Sequence, residues 1–353
     1  MSLMLDEIRE QPAVLEAALR EEMSTARALC SRFEKERPRF VVLAARGTSD
    51  NAAQFGRYLI EIATGIPVSL AAPSVFTLYR AELDFREVLY VGLSQSGEST
   101  DVNTCIQRAR ELGAITLGVT NDPDSTLART AEQSMFLHAG RESSVAATKT
   151  WVAQLLSMYL LAWSLGADLT LEQIRRMPDW AAAALELEPA LRARAERYVF
   201  AEKAIVVGRG FNYSNALEFA LKLMETCYLM ADSFSSADFL HGPIAIAERG
   251  IPAFAFAPPG PTWTGISETL ARLTAAGVAP PLVITDERNR EACALEPAIA
   301  VPAAEPHDPA LPIDALTPIP YAIPAQLLAA HIAEHKGLDP DRPRMLQKVT
   351  QTL

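Results

Sequence analysis

A short polar turn in the first half of the chain carries the strongest chemical signal. Its residues, here called the serine turn, are Ser94, Gln95, Ser96, Gly97, Glu98, Ser99 and Thr100. An apolar run precedes the turn and a helical pattern follows it. The hydroxyls of the turn are therefore expected to lie beside the free N–H groups and the positive dipole end of a helix. Gly97 lets the backbone approach a ligand closely. The combination predicts a phosphate site made of neutral donors; the alternative is a helix N-cap with surface serines.

A second pair of hydroxyls follows another apolar run. Residues 40–45 are apolar, and Arg46, Gly47, Thr48 and Ser49 come directly after them. In an open parallel sheet, ligands bind at the carboxyl ends of the strands, where turns of neighbouring strands meet. We therefore expect Thr48 and Ser49 to add donors to the serine turn, although Ser or Thr before a helix is usually only a cap.

A charged group later in the chain has helical spacing. Glu218, Lys222 and Glu225 fall at i, i+4 and i+7 and share one helical face. Another face carries only apolar or aromatic side chains, namely Leu217, Leu221, Met224 and Tyr228. A carboxylate beside an ammonium suits moving a proton between adjacent carbons while an enediolate oxygen is stabilised. The alternative is a solvated stripe with surface ion pairs.

The remaining candidate residues have weaker local signals. His241 lies in a turn before Gly-Pro, and Lys348 lies near the end of the chain. Residues 331–335 fit the zinc pattern H-x-x-E-H, but no downstream acidic ligand supports it. The segment 208–210, Gly-Arg-Gly, lacks the third glycine and the acidic residue of a dinucleotide loop. We therefore predict no metal and no redox cofactor.

These groups are positioned by two copies of one α/β pattern. Apolar runs alternate with helical stretches, which predicts parallel sheets covered on both faces. The run 204–207 before Gly-Arg-Gly mirrors 40–45 before Arg-Gly, and Glu61 lines up with Glu225. The serine turn corresponds to residues 257–263, which contain three prolines and few donors. We therefore predict one anion site per chain, carried by the first copy.

Composition narrows the class of protein. A chain of 353 residues fits two domains, and no apolar run approaches the roughly 20 residues of a membrane helix. A net charge of −11 argues against nucleic acid as a partner. The N-terminus lacks the basic start and apolar stretch of a secretory signal, so we expect a cytoplasmic location. Four widely separated cysteines argue against disulfides and a structural zinc site.

Several motifs in order resemble the sugar isomerase (SIS) family, specifically the isomerase half of glutamine–fructose-6-phosphate amidotransferases. The resemblance rests on residues 4–12, 46–49, 94–99, 145–149, 216–225, 241–243 and 336–348. It implies two tandem, doubly wound, flavodoxin-like SIS subdomains with a helical N-terminus and a catalytic tail. The predicted domains are 1–38 (helical extension), 39–195 (phosphate-binding SIS domain), 196–335 (second SIS domain) and 336–353 (tail).

The resemblance also implies roles for individual residues. The phosphate and sugar would be bound by Gly47, Thr48, Ser49, Ser94, Gln95, Ser96, Ser99, Val145 and Ala147. Glu225 would be the base at C1 and C2, and Lys222 its neighbouring cation. His241 would open the sugar ring from a partner subunit, which implies a homodimer. Lys348 would meet the substrate carbonyl.

The sequence departs from the synthase pattern in three ways. Ala147 stands where the pattern has serine, and Arg46 where it has cysteine. The sequence contains no glutaminase domain, so we expect that glutamine is not its nitrogen source. The resemblance thus implies an isomerase or deaminase of an amino sugar phosphate. The alternatives are a fructosyl-amine 6-phosphate deglycase and a non-catalytic sugar-phosphate sensor; retention of Glu225, Lys222, His241 and Lys348 argues against the sensor.

Overall fold

Two five-stranded sheets organise the chain. The structure is a computed structural model, and it describes residues 2–305 and 310–348. The first sheet contains β1 (Phe40–Ala44), β2 (Val68–Leu70), β3 (Val88–Leu93), β4 (Ile115–Thr120) and β5 (Gln133–Phe136). The second contains β6 (Lys203–Gly208), β7 (Met230–Ser235), β8 (Ala253–Phe256), β9 (Leu282–Asp286) and β10 (Ala298–Val301).

Helices precede, connect and follow the strands. Before and within the first sheet they are α1 (Leu3–Arg9), α2 (Gln11–Phe33), α3 (Thr48–Thr64), α4 (Ser74–Thr77), α5 (Thr100–Glu111) and α6 (Thr126–Thr130). Between the sheets they are α7 (Lys149–Ser164), α8 (Leu171–Arg175), α9 (Met177–Leu185) and α10 (Glu188–Ala195). The others are α11 (Tyr213–Cys227), α12 (Ser236–Leu240), α13 (Trp263–Ala275), α14 (Arg290–Cys293) and α15 (Pro318–His335). Short 3₁₀ helices occupy Glu196–Tyr198, Gly210–Asn212 and Pro243–Ile246.

The two sheets have the same topology. The strand order is β2-β1-β3-β4-β5 in the first sheet and β7-β6-β8-β9-β10 in the second. Every strand pair is parallel. If β6 is taken as the counterpart of β1, both orders read 2-1-3-4-5, which is a doubly wound order with its switch point beside the first strand. The predicted fold class and internal repeat are therefore confirmed.

The contacts within the chain group the described residues into two compact units. The first unit contains the first sheet and comprises residues 13–142, 149–175 and 346–348. The second unit contains the second sheet and comprises residues 2–12, 143–148, 176–305 and 310–345. The N-terminal helices are thus divided between the units. The predicted boundaries at residues 38, 195 and 335 stay a prediction.

Burial explains why the apolar runs become central strands. All six residues of β3 are buried, and in β4 only Ile115 is partly accessible. A strand covered on both faces needs apolar side chains on both, so its sequence shows no alternation. The helix α7 is buried at nearly every position, which explains its lack of an obvious polar face.

None of the described helices combines the length and apolar character that crossing a bilayer requires.

Candidate functional site

The serine turn has the geometry of an anion site. The Oγ of Ser94 accepts the N–H of Gly97 at 3.1 Å, and the Oγ of Ser96 accepts the N–H of Glu98 at 3.2 Å. Because each oxygen accepts a bond from the backbone, each hydroxyl proton remains available to donate to a ligand. The turn therefore orients two hydroxyl donors.

Gly97 is required by the backbone of this turn. Its φ is +66°, and a Cβ at this position would lie 2.2 Å from Ser125 Oγ and 2.7 Å from Thr120 Oγ1. Its carbonyl also accepts the N–H of Leu127 at 3.0 Å. A side chain here would therefore both strain the backbone and collide with its surroundings.

The start of α5 adds backbone donors. Ser99 is the N-cap residue, and its side chain makes no capping hydrogen bond. The first N–H groups of a helix have no partner within the helix, and they concentrate positive potential at that end. The alternative interpretation of Ser99 as a side-chain cap is therefore not supported by the geometry.

Thr48 and Ser49 lie on the neighbouring turn of the same sheet edge. They begin α3 directly after β1, and β1 pairs with β3 in parallel. The Oγ of Ser49 accepts the side-chain amide of Gln154 at 2.8 Å, which leaves its own proton free to donate. Both turns thus present hydroxyls at the carboxyl ends of adjacent strands, as predicted. Gln154, which fixes Ser49, has no signal in the sequence.

The second unit contains a buried cation between two carboxylates. Lys222 Nζ lies 3.2 Å from Glu218 Oε1 and 2.5 Å from Glu225 Oε2. The side chains of Lys222 and Glu218 are inaccessible, whereas Glu225 keeps 21% of its side-chain surface. Burial alone would lower the pKa of Lys222, but the two carboxylates outweigh it and hold that pKa above the usual value. Lys222 is therefore a fixed positive charge beside an accessible carboxylate.

This burial rules out the alternative of a solvated stripe. Lys222 and Glu218 face the interior of the second unit, whereas the predicted apolar face is more accessible, with Met224 43% exposed and Leu217 and Leu221 half-buried. The polarity of the helix is thus the reverse of a simple amphipathic pattern. A charged group held inside by its own ion pairs is expensive to bury, which favours a functional role.

His241 lies at the surface of the second unit. It follows α12, and its N–H donates to the carbonyl of Asp238 at 3.1 Å. The residue is exposed, and its imidazole has no hydrogen-bond partner within residues 2–305 and 310–348. The backbone of the turn is fixed, as the Gly-Pro sequence predicts, and the ring is accessible from outside the chain.

Lys348 is paired with a buried carboxylate in the first unit. Its Nζ donates to Glu142 Oε2 at 2.6 Å, and the Glu142 side chain is inaccessible. Thr150, in the first turn of α7, donates its N–H to Oε1 at 3.1 Å and its hydroxyl to Oε2 at 2.7 Å. Glu142 therefore anchors the tail lysine to a helix N-terminus. No local sequence pattern indicates a role for Glu142, because its partner Lys348 lies 206 residues away.

Val145 and Ala147 lie on a loop of the second unit, where both are half-buried. The N–H of Val145 donates to the carbonyl of Asp341 at 3.2 Å. The N–H of Ser144 donates to the carboxylate of the buried residue Glu7 at 3.2 Å. The loop is thus held by the helical N-terminus and by the segment after α15, neither of which local sequence patterns connect to it.

The predicted residues therefore fall into two sets. The first unit contains the phosphate candidates Gly47, Thr48, Ser49, Ser94, Gln95, Ser96 and Ser99, and separately pairs Lys348 with Glu142. The second unit contains Glu225, Lys222, His241, Val145 and Ala147.

The two histidines of the H-x-x-E-H pattern, His331 and His335, contact carboxylate and carbonyl oxygens. His331 is buried and contacts Glu334 Oε2 at 3.0 Å and Glu188 Oε1 at 3.2 Å, while His335 contacts the carbonyl of Arg192. In the described part of the chain, no group of three or more His, Cys, Asp or Glu side chains is arranged to hold a metal ion.

Comparisons with known proteins identify the family to which the chain is similar. The SIS domain family profile matches residues 36–164 and 199–335. The chain is 35% identical over 353 residues to a glutamine–fructose-6-phosphate aminotransferase (isomerizing) of Methanothermobacter thermautotrophicus, covering 98% of this chain and 56% of that protein. A Gloeobacter violaceus protein of the same name is 34% identical over 365 residues, with 98% and 58% covered. The chain thus spans little more than half the length of these relatives.

Solved structures give the same result. The C-terminal domain of glucosamine-fructose-6-phosphate aminotransferase from Francisella tularensis superposes with a TM-score of 0.87 at 27% identity, covering 97% of this chain and 98% of that domain. A glucosamine-6-phosphate deaminase from Thermotoga maritima shares the fold, with a TM-score of 0.79 at 20% identity and coverage of 99% and 100%. With both of its sheets matched by the family profile, the chain belongs to the SIS domain family.

Proposed function

We propose that the protein is an amino-sugar-phosphate isomerase and deaminase, which converts glucosamine 6-phosphate and water to fructose 6-phosphate and ammonia. The names of its relatives indicate phosphorylated hexoses and their amino derivatives. The observation that carries the proposal is the accessible Glu225 carboxylate beside the buried Lys222 cation.

The phosphate is assigned to the serine turn and its neighbouring turn. Oriented hydroxyls of Ser94 and Ser96, together with the N-terminus of α5, supply hydrogen bonds to phosphoryl oxygens. Binding the unreactive end of a substrate tightly fixes the reactive end in position, which accounts for a large share of catalysis.

Proton transfer is assigned to Glu225. In the open-chain aldose, its carboxylate removes the C2 proton, and the electrons form a C1–C2 double bond while negative charge develops on O1. Lys222, held as an ammonium, stabilises that oxygen. Return of the proton to C1, with transfer of a proton from the amino nitrogen to O1, leaves a hydroxyl at C1 and an imine at C2. Water adds to this carbon and ammonia departs, which gives the ketone of fructose 6-phosphate.

His241 and Lys348 have the remaining two proposed roles. His241, with an accessible imidazole, transfers the proton that opens the sugar ring. The homodimer in which a partner subunit supplies this histidine stays a prediction. Lys348, held by its hydrogen bond to Glu142, contacts the substrate carbonyl.

An ammonia-release assay tests the proposal. Wild-type protein supplied with glucosamine 6-phosphate should release ammonia and fructose 6-phosphate in equal amounts, and Glu225→Gln should abolish both. Glu268→Gln is the matched control because Glu268 is exposed and, among the residues that the structure describes, forms its ion pair with Arg272 in the same helix. Release of a free amine from a fructosyl-amine 6-phosphate, with no ammonia from glucosamine 6-phosphate, would instead identify a deglycase.

A further inference from the structure

Arg46 is tied to the start of α5. It follows β1, and its Nε and Nη2 donate to Asp101 Oδ2 at 2.9 and 2.6 Å. Asp101 lies in the first turn of α5 with 3% of its side chain exposed, whereas the side chain of Arg46 is 52% exposed. A fixed carboxylate therefore holds a half-exposed guanidinium at the helix N-terminus.

The guanidinium keeps donors for another anion. Both of its bonds go to one carboxylate oxygen, and Nη1 has no hydrogen-bond partner in residues 2–305 and 310–348. A guanidinium presents five N–H groups in a rigid fork that suits phosphate oxygens. Because Asp101 already restricts the side chain, little further conformational entropy is lost when a ligand binds.

The Arg46–Asp101 pair lies at the same edge of the first sheet as the phosphate candidates. Arg46 directly precedes Gly47 and Thr48, and Asp101 comes two residues after Ser99. The other candidate donors at this edge are hydroxyls, an amide and backbone N–H groups, all of them neutral. A phosphate monoester carries a charge of about −1.5 to −2 at pH 7, so a fixed cation favours it over a singly charged ester.

We propose that Arg46 is a specificity-determining residue that contacts the phosphoryl group and selects a dianionic ester over a monoanionic one. The inference rests on the proposed function, because that function supplies the phosphorylated substrate. The competing explanation is that Arg46 only neutralises the carboxylates of Asp101 and Asp50 and never touches a ligand.

Binding measurements on four proteins separate these explanations. The ligands are glucosamine 6-phosphate and glucosamine 6-sulfate, and the proteins are wild type, Arg46→Gln, Asp101→Asn and the double variant. In the double variant the ion pair is removed together with both of its charges, and the partly buried Asp50 also loses the favourable charge of Arg46, whose effect on the pKa of Asp50 is to lower it. We expect its Kd for the phosphate ester to rise about tenfold and its Kd for the sulfate ester to change less than about threefold. Arg46→Lys keeps the charge and should retain most of the preference.

The outcomes distinguish this inference from the proposed function. A double variant that binds the phosphate ester as tightly as wild type, with the same preference over sulfate, overturns the role of Arg46 alone. Ser96→Ala should weaken both esters together, because a neutral hydroxyl does not discriminate by charge. If wild-type protein binds neither ester, the proposed function and this inference both fail. Thermal melts of each variant show whether folding is retained.

Discussion

The two sheets share one strand order but differ at the turn after their third strand. In the first sheet this turn contains oriented serines and Gly97. In the second sheet it spans residues 257–263, where prolines remove three backbone donors. The shared topology therefore predicts the same location for an anion site in both sheets, and the residues of the turn favour such a site only in the first.

The second turn also lies beside a buried carboxylate. Thr262 Oγ1 donates to Asp314 Oδ2 at 3.4 Å, and Asp314 Oδ1 is buried without a partner among the described residues. Burial raises the pKa of Asp314 to about 6. A carboxylate at this position repels phosphate whenever it is ionised, so the second sheet has lost donors and gained an opposing charge.

The helices that follow the first strand of each sheet, α3 and α11, differ in the opposite sense, because here the second copy carries the candidate catalytic group. In α3, Glu61 Oε1 accepts the N–H of Val68 at 2.9 Å, which joins the helix to β2. In α11, its counterpart Glu225 pairs with Lys222. Under the proposed function each copy thus has one role: the first carries the proposed phosphate turn with a structural glutamate, and the second carries the proposed reactive glutamate with a turn poor in donors.

The sharpest test of this division exchanges the two glutamates for glutamine one at a time. Glu225→Gln should lower kcat for ammonia release by about a thousandfold, because a general base contributes about 10²- to 10⁴-fold. Glu61→Gln should leave kcat within about twofold, because an amide oxygen still accepts the N–H of Val68. A large loss from Glu61→Gln, with melting unchanged, would break the comparison.

The second prediction concerns Asp314. The folded protein holds the Asp314 proton to a higher pH than the unfolded chain, so this residue costs stability as pH rises from about 4 through about 6. Asp314→Asn should therefore raise the free energy of unfolding at pH 7 by at most about 3 kcal/mol. Asp179→Asn, at an exposed position, is the control. If the free energy of unfolding depended on pH in the same way for wild type and Asp314→Asn, the raised pKa of Asp314 would be contradicted.

The third prediction compares two glycines at corresponding turns. Gly97 and Gly260 both have positive φ, and a Cβ at Gly260 would lie 2.5 Å from Ile313 Cγ2. Both substitutions to alanine should lower the melting temperature, because each strains the backbone by about 1–3 kcal/mol. Only Gly97→Ala should raise KM for glucosamine 6-phosphate, by about 30-fold, through loss of hydrogen bonds to a charged group. An equal rise in KM for Gly97→Ala and Gly260→Ala would show that both turns bind substrate.

Local signals allowed most of the fold to be predicted. The apolar runs of β3 and β4 and the polar turns after them are contiguous in the sequence, so strand, turn and helix could be assigned together. The repeat was predictable for the same reason, because each copy uses the same order of local patterns.

The unpredicted parts depend on distant contacts. The pairing of Lys348 with Glu142 and the support of Val145 by Asp341 join segments about 200 residues apart, and no local pattern connects them. The buried face of α11 was ambiguous for a different reason. A stripe containing Lys222 resembles a solvated surface unless the carboxylates that neutralise it are known to be buried with it.

Asp341 joins the beginning of the described chain to the segment that follows α15. Its carboxylate accepts the N–H groups of Leu3 and Met4, each at 2.8 Å, while its carbonyl accepts Val145. The residue that fixes the start of α1 through its carboxylate therefore also positions a candidate sugar-lining loop through its carbonyl, so a change at Asp341 would loosen both segments at once.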